Sequence, residues 1–255
     1  MRKKIAFNLF VLLLIGAGFC ISPLAYAATD DIKVKVNEIN QAYLDDTLGG
    51  LIEKYIGETK ADPNNAELHY LLGVSYLYSE FDTENATFEK ARGELIKAKT
   101  LDPKLKYVNY SLGYIYWARG EYDKAIEFYR AEITLDPDNA WNYFNLGSAY
   151  EGLKEWDKAM SQYIITIDKN PTIADAHNNL GMIAMNWKGN HFRAMDSFKK
   201  AVELKPEERL YKENYNKAVK KLKALKASLD RGDVTLPPDQ VEKLKKLNLE
   251  EMKVE

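Results

Sequence analysis

The residue types that most often perform catalysis or bind metals are scarce and scattered in this sequence. The chain of 255 residues has three histidines, His69, His177 and His191, and one cysteine, Cys20. No HExxH pair, phosphate-binding GxxxxGK loop or dinucleotide-binding GxGxxG loop occurs. No nucleophile stands beside a general base. We therefore expect no catalytic residue, no metal site and no cofactor.

Aromatic side chains are concentrated instead, most densely in the stretch YVNYSLGYIYW at residues 107–117. On a helix that turns about 100° per residue, these residues divide into two groups on different sides. One group is Asn109, Leu112, Gly113 and Tyr116; the other is Tyr107, Tyr110, Tyr114 and Trp117. Tyrosine and tryptophan are enriched among the residues that dominate binding energy at protein interfaces. The sequence thus favours recognition of a partner over catalysis.

The N-terminal residues have the features of an export signal. Three basic residues at positions 2–4 precede the apolar run Ile5–Phe19, and the small-x-small motif Ala25-Tyr26-Ala27 follows. This order predicts a signal peptide at 1–27 and a periplasmic or secreted protein. An uncleaved membrane anchor is the alternative, because no charge occurs from Ile5 to Thr29.

Two further consequences follow from the signal. Cys20 lacks the small residue before it that a lipid-modified cysteine requires, so lipidation is the less favoured reading. Cleavage after Ala27 would leave no cysteine and hence no disulfide. The processed chain would have 33 basic and 38 acidic residues, a net charge of −5, which gives no general argument for nucleic-acid binding.

A repeat of about 34 residues organises most of the chain. Prolines recur at nearly constant spacing, each with an alanine twelve residues before it, and Leu-Gly pairs lie ten residues after successive prolines. The prolines are Pro103, Pro137, Pro171 and Pro206, and the glycines are Gly73, Gly113, Gly147 and Gly181. Glycine and alanine allow two helices to approach closely, and proline ends a helix. Each repeat is therefore predicted to be a helical hairpin.

These offsets of leucine-glycine, tyrosine, alanine, aromatic residue and proline resemble tetratricopeptide repeats. The resemblance implies an all-α, right-handed superhelical solenoid of antiparallel helix hairpins that binds other proteins. Four units are expected, at 66–105, 106–139, 140–173 and 174–206, with a degenerate hairpin at 28–65 before them. A capping helix at 207–229 and a linker with a short terminal helix at 230–255 are expected to follow.

Some positions depart from the repeat pattern. The first unit has six extra residues between Gly73 and Ala91, which predicts a longer turn or an extended helix. The small residue usual five positions before the proline is replaced by Glu132 and Thr166 in the middle units. We expect these two replacements to change helix packing locally and to leave the fold intact.

The resemblance also indicates where a partner would bind, because four positions of each first helix line the concave groove in this family. The residues at those positions that we expect to bind a partner are Tyr70, Tyr107, Tyr110, Tyr114, Trp117, Trp141, Phe144 and Met182. None of the groove positions is lysine or arginine, so the clamp by which some relatives hold a chaperone's C-terminal carboxylate is not expected. Internal packing of the aromatic residues is the alternative.

The expected function is a non-catalytic scaffold in the cell envelope that binds a peptide or a helix of an envelope protein. The alternative is a module that binds glycan or peptidoglycan by stacking the same aromatic rings on sugars. The lysine-rich stretch KAVKKLKALK at residues 217–226 is expected to be the solvated side of the capping helix. Contact of these lysines with an anionic membrane or an acidic partner is the other interpretation.

Overall fold

A computed structural model describes residues 30–79, 86–249 and 252 of the chain. The predicted signal peptide lies outside the described residues, as do residues 80–85 of the longer segment between Gly73 and Ala91. Those described residues contain twelve helices and no strand, which confirms the predicted all-α class of helix hairpins. The helices are α1 (Asp30–Leu44), α2 (Leu48–Ala61), α3 (Ala66–Ser79), α4 (Ala86–Leu101), α5 (Val108–Ala118), α6 (Tyr122–Leu135), α7 (Ala140–Gly152), α8 (Trp156–Lys169), α9 (Ala174–Asn186), α10 (His191–Leu204), α11 (Arg209–Asp230) and α12 (Pro238–Lys246).

The chain divides into two compact units at Glu155 and Trp156. The N-terminal unit contains α1 to α7, and each of these helices packs against the next one along the chain. First helices also contact one another, since α1 packs on α3 and α5 on α7. This pattern is that of stacked hairpins, in which each repeat buries its apolar face only against its neighbours.

The glycines of the repeat lie where a bulky side chain of the second helix meets the first. A Cβ atom on Gly113 would lie 2.7 Å from the ring of Tyr129, which is fully buried. A Cβ atom on Gly73 would lie 2.8 Å from Leu95 of the same repeat. The glycine therefore makes room for the residue four positions after the repeat's alanine, and the two together fix the spacing of the hairpin.

The C-terminal unit contains α8 to α12 and is built in the same way. Here a Cβ atom on Gly181 would lie 2.6 Å from Phe198 of α10. Helix α11 packs on α9 and α10 and buries an apolar stripe at helical spacing. The stripe consists of Tyr211, Tyr215, Ala218, Val219 and Leu222. Helix α12 then packs on α11 and buries Leu244.

A polar side chain in the fourth position of three first helices forms a hydrogen bond to the carbonyl oxygen of the preceding proline. His69 contacts Pro63 through Nε2 at 3.0 Å, and His177 contacts Pro171 in the same way at 3.0 Å. The hydroxyl of Tyr143 donates to Pro137 at 3.0 Å. These contacts give a hydrogen-bond donor to a carbonyl in the turn between two helices. Two of the three histidines thus have a structural role.

The described part of the chain contains neither a membrane span nor a metal centre. Among the helices of residues 30–79 and 86–246, none combines the length and the hydropathy that a bilayer span requires. Within residues 30–79 and 86–249, no three residues of the types His, Cys, Asp and Glu are grouped closely enough to hold a metal ion.

Candidate partner-binding site

The structure buries four of the eight residues that the sequence indicates as partner-binding. Tyr70 and Phe144 have no exposed surface, and Tyr107 and Tyr110 are 2% and 7% exposed. In this conformation these rings form part of the core, as the alternative of internal packing expects. Tyr110, for example, meets the ring of Tyr129 edge-on, with the ring centroids 6.1 Å apart.

Three aromatic residues at the remaining positions are half-buried. We call Tyr114, Trp117 and Trp141 the aromatic strip. The rings of Tyr114 and Trp117 stack with centroids 6.4 Å apart and planes inclined by 20°. Trp141 lies edge-on against the buried Phe144, with centroids 5.4 Å apart. Each strip residue thus combines an exposed part with a ring held in place by its neighbours.

Helix α5 owes its start to a residue that departs from the repeat pattern. The Glu132 side chain of α6 is fully buried, and its carboxylate accepts the backbone N–H of Tyr107 at 2.6 Å and of Tyr110 at 3.3 Å. These donors belong to the first turn of α5, where backbone N–H groups have no helical partner. Tyr107 itself has a positive φ of 71° at the cap position. Glu132 therefore positions the helix that carries Tyr114 and Trp117.

Thr166, the second departure from the pattern, is used differently. Its side chain is also fully buried, but its hydroxyl donates to the carbonyl of Gln162 within its own helix. The two replacements therefore change the local packing differently. Glu132 forms hydrogen bonds to the first turn of another helix, whereas the Thr166 hydroxyl forms one within its own helix.

The side chain of Tyr114 lies in poorly solvated surroundings. Burial raises the pKa of Tyr114, and the neighbouring phenols of Tyr110 and Tyr78 raise it further. Burial likewise raises the pKa of Glu132, which outweighs the opposing effect of its two backbone hydrogen bonds. Tyr114 therefore stays neutral at physiological pH and is suited to apolar and aromatic contacts.

Comparisons with known families agree with the repeat pattern. Models of the tetratricopeptide repeat match residues 113–154, 141–172 and 174–208, which include the strip and helices α9 and α10. Two of these matches contain a glycine whose contact is described above, Gly113 against Tyr129 and Gly181 against Phe198. The chain contains tetratricopeptide repeats.

Several solved structures of tetratricopeptide-repeat proteins are similar to this chain. A crystal structure of MamA is 28% identical, covers 71% of this chain and 98% of its own, and has a TM-score of 0.57. YrrB, described as a TPR protein with an unusual peptide-binding site, is 21% identical, covers 69% and 88%, and has a TM-score of 0.54. TTC0263 from Thermus thermophilus is 16% identical, covers 74% and 98%, and has a TM-score of 0.56. No curated protein sequence matches the chain significantly.

In the fourth tetratricopeptide repeat, the groove positions are covered by the capping helix. The hydroxyl of Tyr211 on α11 donates to the buried Asp175 carboxylate at 2.6 Å. Asn214 on the same helix donates to Asn178 at 2.9 Å. Met182, the last of the eight indicated residues, is half-buried against the apolar cluster that contains Tyr211 and Tyr215. Met182 therefore packs within the apolar cluster of the C-terminal unit, to which the capping helix contributes.

Two tryptophans outside the groove positions have neighbouring rings, and the repeat pattern indicates neither of them as partner-binding. Trp187, at the end of α9, is 54% exposed, and its ring centroid lies 6.3 Å from that of the half-buried Trp156. Beside them, Lys188 forms an ion pair with Asp157 at 2.6 Å. The sequence differs at the turn after α9 as well, because Gly181 and Ala194 are 13 residues apart, whereas the equivalent residues Gly113 and Ala125 are 12 apart.

Proposed function

We propose that this tetratricopeptide-repeat protein is an exported, non-catalytic scaffold that binds a peptide segment or a helix of an envelope protein on the aromatic strip. The observation that carries the proposal is the state of Tyr114, Trp117 and Trp141. These rings are half-buried, lie on the first helices of consecutive repeats, and are held by aromatic neighbours. Rigid, partly exposed aromatic rings contribute much binding energy for little loss of conformational entropy.

The repeat fold supports this role. Stacked helix hairpins present a row of first helices, and α5 and α7 contact each other directly. The similar structure of YrrB is described as having a peptide-binding site, so this fold is compatible with peptide recognition. The proposed export is supported by the basic start, the apolar run Ile5–Phe19 and the Ala25-Tyr26-Ala27 motif.

The proposal is tested by selecting peptides from a random library on the chain that begins at Ala28, and by titrating the selected peptides against variants. Trp117→Ala with Trp141→Ala should weaken binding by about 30-fold or more, since buried interface tryptophans are typically worth about 2 kcal/mol or more. Trp187→Ala is the matched control, because it removes an exposed tryptophan elsewhere, and should leave the affinity unchanged.

Equal affinity of the double variant and the unmodified chain would contradict the proposal. In a separate experiment, affinity purification from cells that produce the protein, followed by mass spectrometry, would identify the partner. The same variants would show whether capture of that partner depends on the strip. Co-sedimentation with purified cell wall that depends on Trp117 and Trp141, without peptide binding, would instead indicate glycan recognition by these rings.

A further inference from the structure

The lysine-rich part of helix α11 has no role in the proposed peptide site. Residues 214–229 contain five lysines and no acidic residue. Lys217, Lys220 and Lys221 are exposed and point to the same side of α11, away from its buried stripe. We call these three residues the lysine stripe. The stripe concentrates positive charge on one helix face.

The charge of the stripe is not neutralised by its neighbours. Other lysines of this unit form ion pairs, such as Lys205 with Asp175 and Lys243 with Asp196, each at 3.3 Å. No described residue forms an ion pair with a member of the lysine stripe. The unit from Trp156 to the end of the sequence contains 19 basic and 15 acidic residues, whereas residues 28–155 contain 14 basic and 23 acidic residues. The positive charge is therefore specific to the C-terminal unit.

The tryptophan pair at the α9 turn belongs to the same unit and lies near the stripe. His191 begins the helix that follows the Trp187 turn, and its pKa is lowered by burial and by the positive charge of Lys221. Residues 205–208 join α10 to α11 in a short turn, and the two helices pack on each other. In such an antiparallel pair the start of α10 lies beside the part of α11 that contains Lys221, so one end of the lysine stripe is close to the turn that carries Trp187. Lys188, next to Trp187, adds a further cation whose partner Asp157 is exposed.

We infer that the lysine stripe and Trp187 together form a surface that binds the anionic face of a phospholipid bilayer. Lysines near an anionic leaflet are each attracted to it, and tryptophan prefers the level of the lipid headgroups. The stripe consists of flexible lysines without arginine. An exposed tryptophan beside such lysines fits a lipid surface better than an acidic protein, which would favour bidentate arginine contacts.

This surface would add membrane attachment to peptide binding by the aromatic strip, and it uses none of the strip residues. The attachment would be electrostatic, because the exposed side of α11 between Lys217 and Lys221 has no large apolar residue. The affinity should accordingly fall as salt rises, since exposed charges are screened over about 8 Å at physiological ionic strength.

The test is co-sedimentation of the chain from Ala28 onward with vesicles of phosphatidylcholine alone or with about 30% phosphatidylglycerol. This form retains every described helix and lacks the run Ile5–Phe19, which would itself bind bilayers. The unmodified chain should sediment with anionic vesicles only. Replacing the three stripe lysines with glutamine should weaken this binding about a hundredfold, and Trp187→Ala should weaken it several-fold.

A matched control replaces Lys54, Lys60 and Lys104 with glutamine, which removes the same charge from exposed positions in the other unit. Circular dichroism checks that every variant is folded. Equal binding to neutral and anionic vesicles, or equal losses in the control and stripe variants, would overturn the inference. Stripe-dependent binding of a polyglutamate peptide without vesicle binding would also overturn it and would assign the surface to an acidic protein.

Discussion

Helices α5 and α9 hold equivalent places in the second and fourth repeats, but the side chains at their groove positions have different surroundings. On α9, Asp175 and Asn178 form hydrogen bonds to the capping helix, and Met182 packs beside them. On α5, Tyr107 and Tyr110 are buried, while Tyr114 and Trp117 remain half-buried. A groove position is therefore available to a partner only where other parts of the chain do not cover it.

In both repeats a fully buried aromatic ring packs against a glycine. Removing this ring should have the largest effect on the free energy of unfolding. Tyr129→Ala and Phe198→Ala should each lower the free energy of unfolding by about 3–5 kcal/mol, because each removes a fully buried ring beside a glycine. Denaturant titration followed by circular dichroism measures both. Ile96→Ala, at a residue 41% exposed, is the control and should cost far less. A small loss for either ring would show that the two repeats are not packed alike.

Glu132 caps α5, whereas Thr166 at the equivalent position of the next repeat caps no helix. Substitutions of these two residues should therefore differ in their effect on stability. Glu132→Ala should cost about 2–4 kcal/mol, because two buried backbone N–H groups lose their acceptor. Thr166→Ala should cost less, since the carbonyl that its hydroxyl contacts lies within its own helix. The same denaturant titrations provide the measurement, and equal costs would argue against the capping role.

Glu132 also predicts a dependence of stability on pH. Because burial raises its pKa in the folded state, its contribution is most favourable below the unfolded-state pKa and is lost as pH rises through the folded-state pKa. Glu89 and Glu121, whose pKa values are lowered by hydrogen bonds from Arg92 and Lys124 respectively, act in the opposite direction. The contribution of Glu132 is the difference in free energy of unfolding between the unmodified chain and the Glu132→Gln variant. As pH falls from about 7 towards about 4, the unmodified chain should become more stable relative to this variant.

The hydrogen bond from Tyr211 on the capping helix to Asp175 belongs to the fourth repeat. Its removal should have an intermediate effect on stability. Tyr211→Phe should lower stability by about 1–3 kcal/mol, because the Asp175 carboxylate is buried and loses its hydroxyl donor. Tyr143→Phe, which removes a hydrogen bond from an exposed hydroxyl, is a matched control with a smaller expected cost. A Tyr211→Phe variant as stable as its control would mean that the cap does not hold the groove positions of α9.

The smallest stability effects concern glycine. Gly113→Ala should destabilise by about 1–2 kcal/mol, since its methyl group would overlap the Tyr129 ring by more than the gain in helix propensity can offset. Gly93→Ala, within α4 and with no atom within 4 Å of an added Cβ, should instead be neutral or stabilising. Thermal unfolding of the two variants measures whether their changes in stability have opposite signs. Changes of the same sign would mean that the close contact of Gly113 with Tyr129 has no effect on stability.

Much of the fold could be predicted because its determinants are periodic. The spacing of glycine, alanine and proline identified the hairpins, and the bulky residues at Leu95, Tyr129 and Phe198 do contact the predicted glycines. The role of Glu132 could not be predicted, because capping depends on which residue of another helix lies opposite the first turn of α5. A buried acidic residue at a position usually small was the available sign.

The site was predictable only in part, for a related reason. A helical wheel groups Tyr107, Tyr110, Tyr114 and Trp117 on one side, but it contains no neighbouring helix to bury the first two. The cover over Met182 depends on how α11 packs, which no local pattern reveals. Trp187 was missed because the repeat pattern directs attention to groove positions, and this residue lies in a turn.

We propose that the aromatic strip binds a partner, and that exposure of a tryptophan is not in itself sufficient for binding. Titration of one selected peptide against Trp117→Ala with Trp141→Ala and against Trp187→Ala distinguishes the two possibilities. We expect a loss of affinity of about 30-fold or more for the double variant and no change for Trp187→Ala. Unchanged affinity in the double variant, or an equal loss in both, would contradict the proposal.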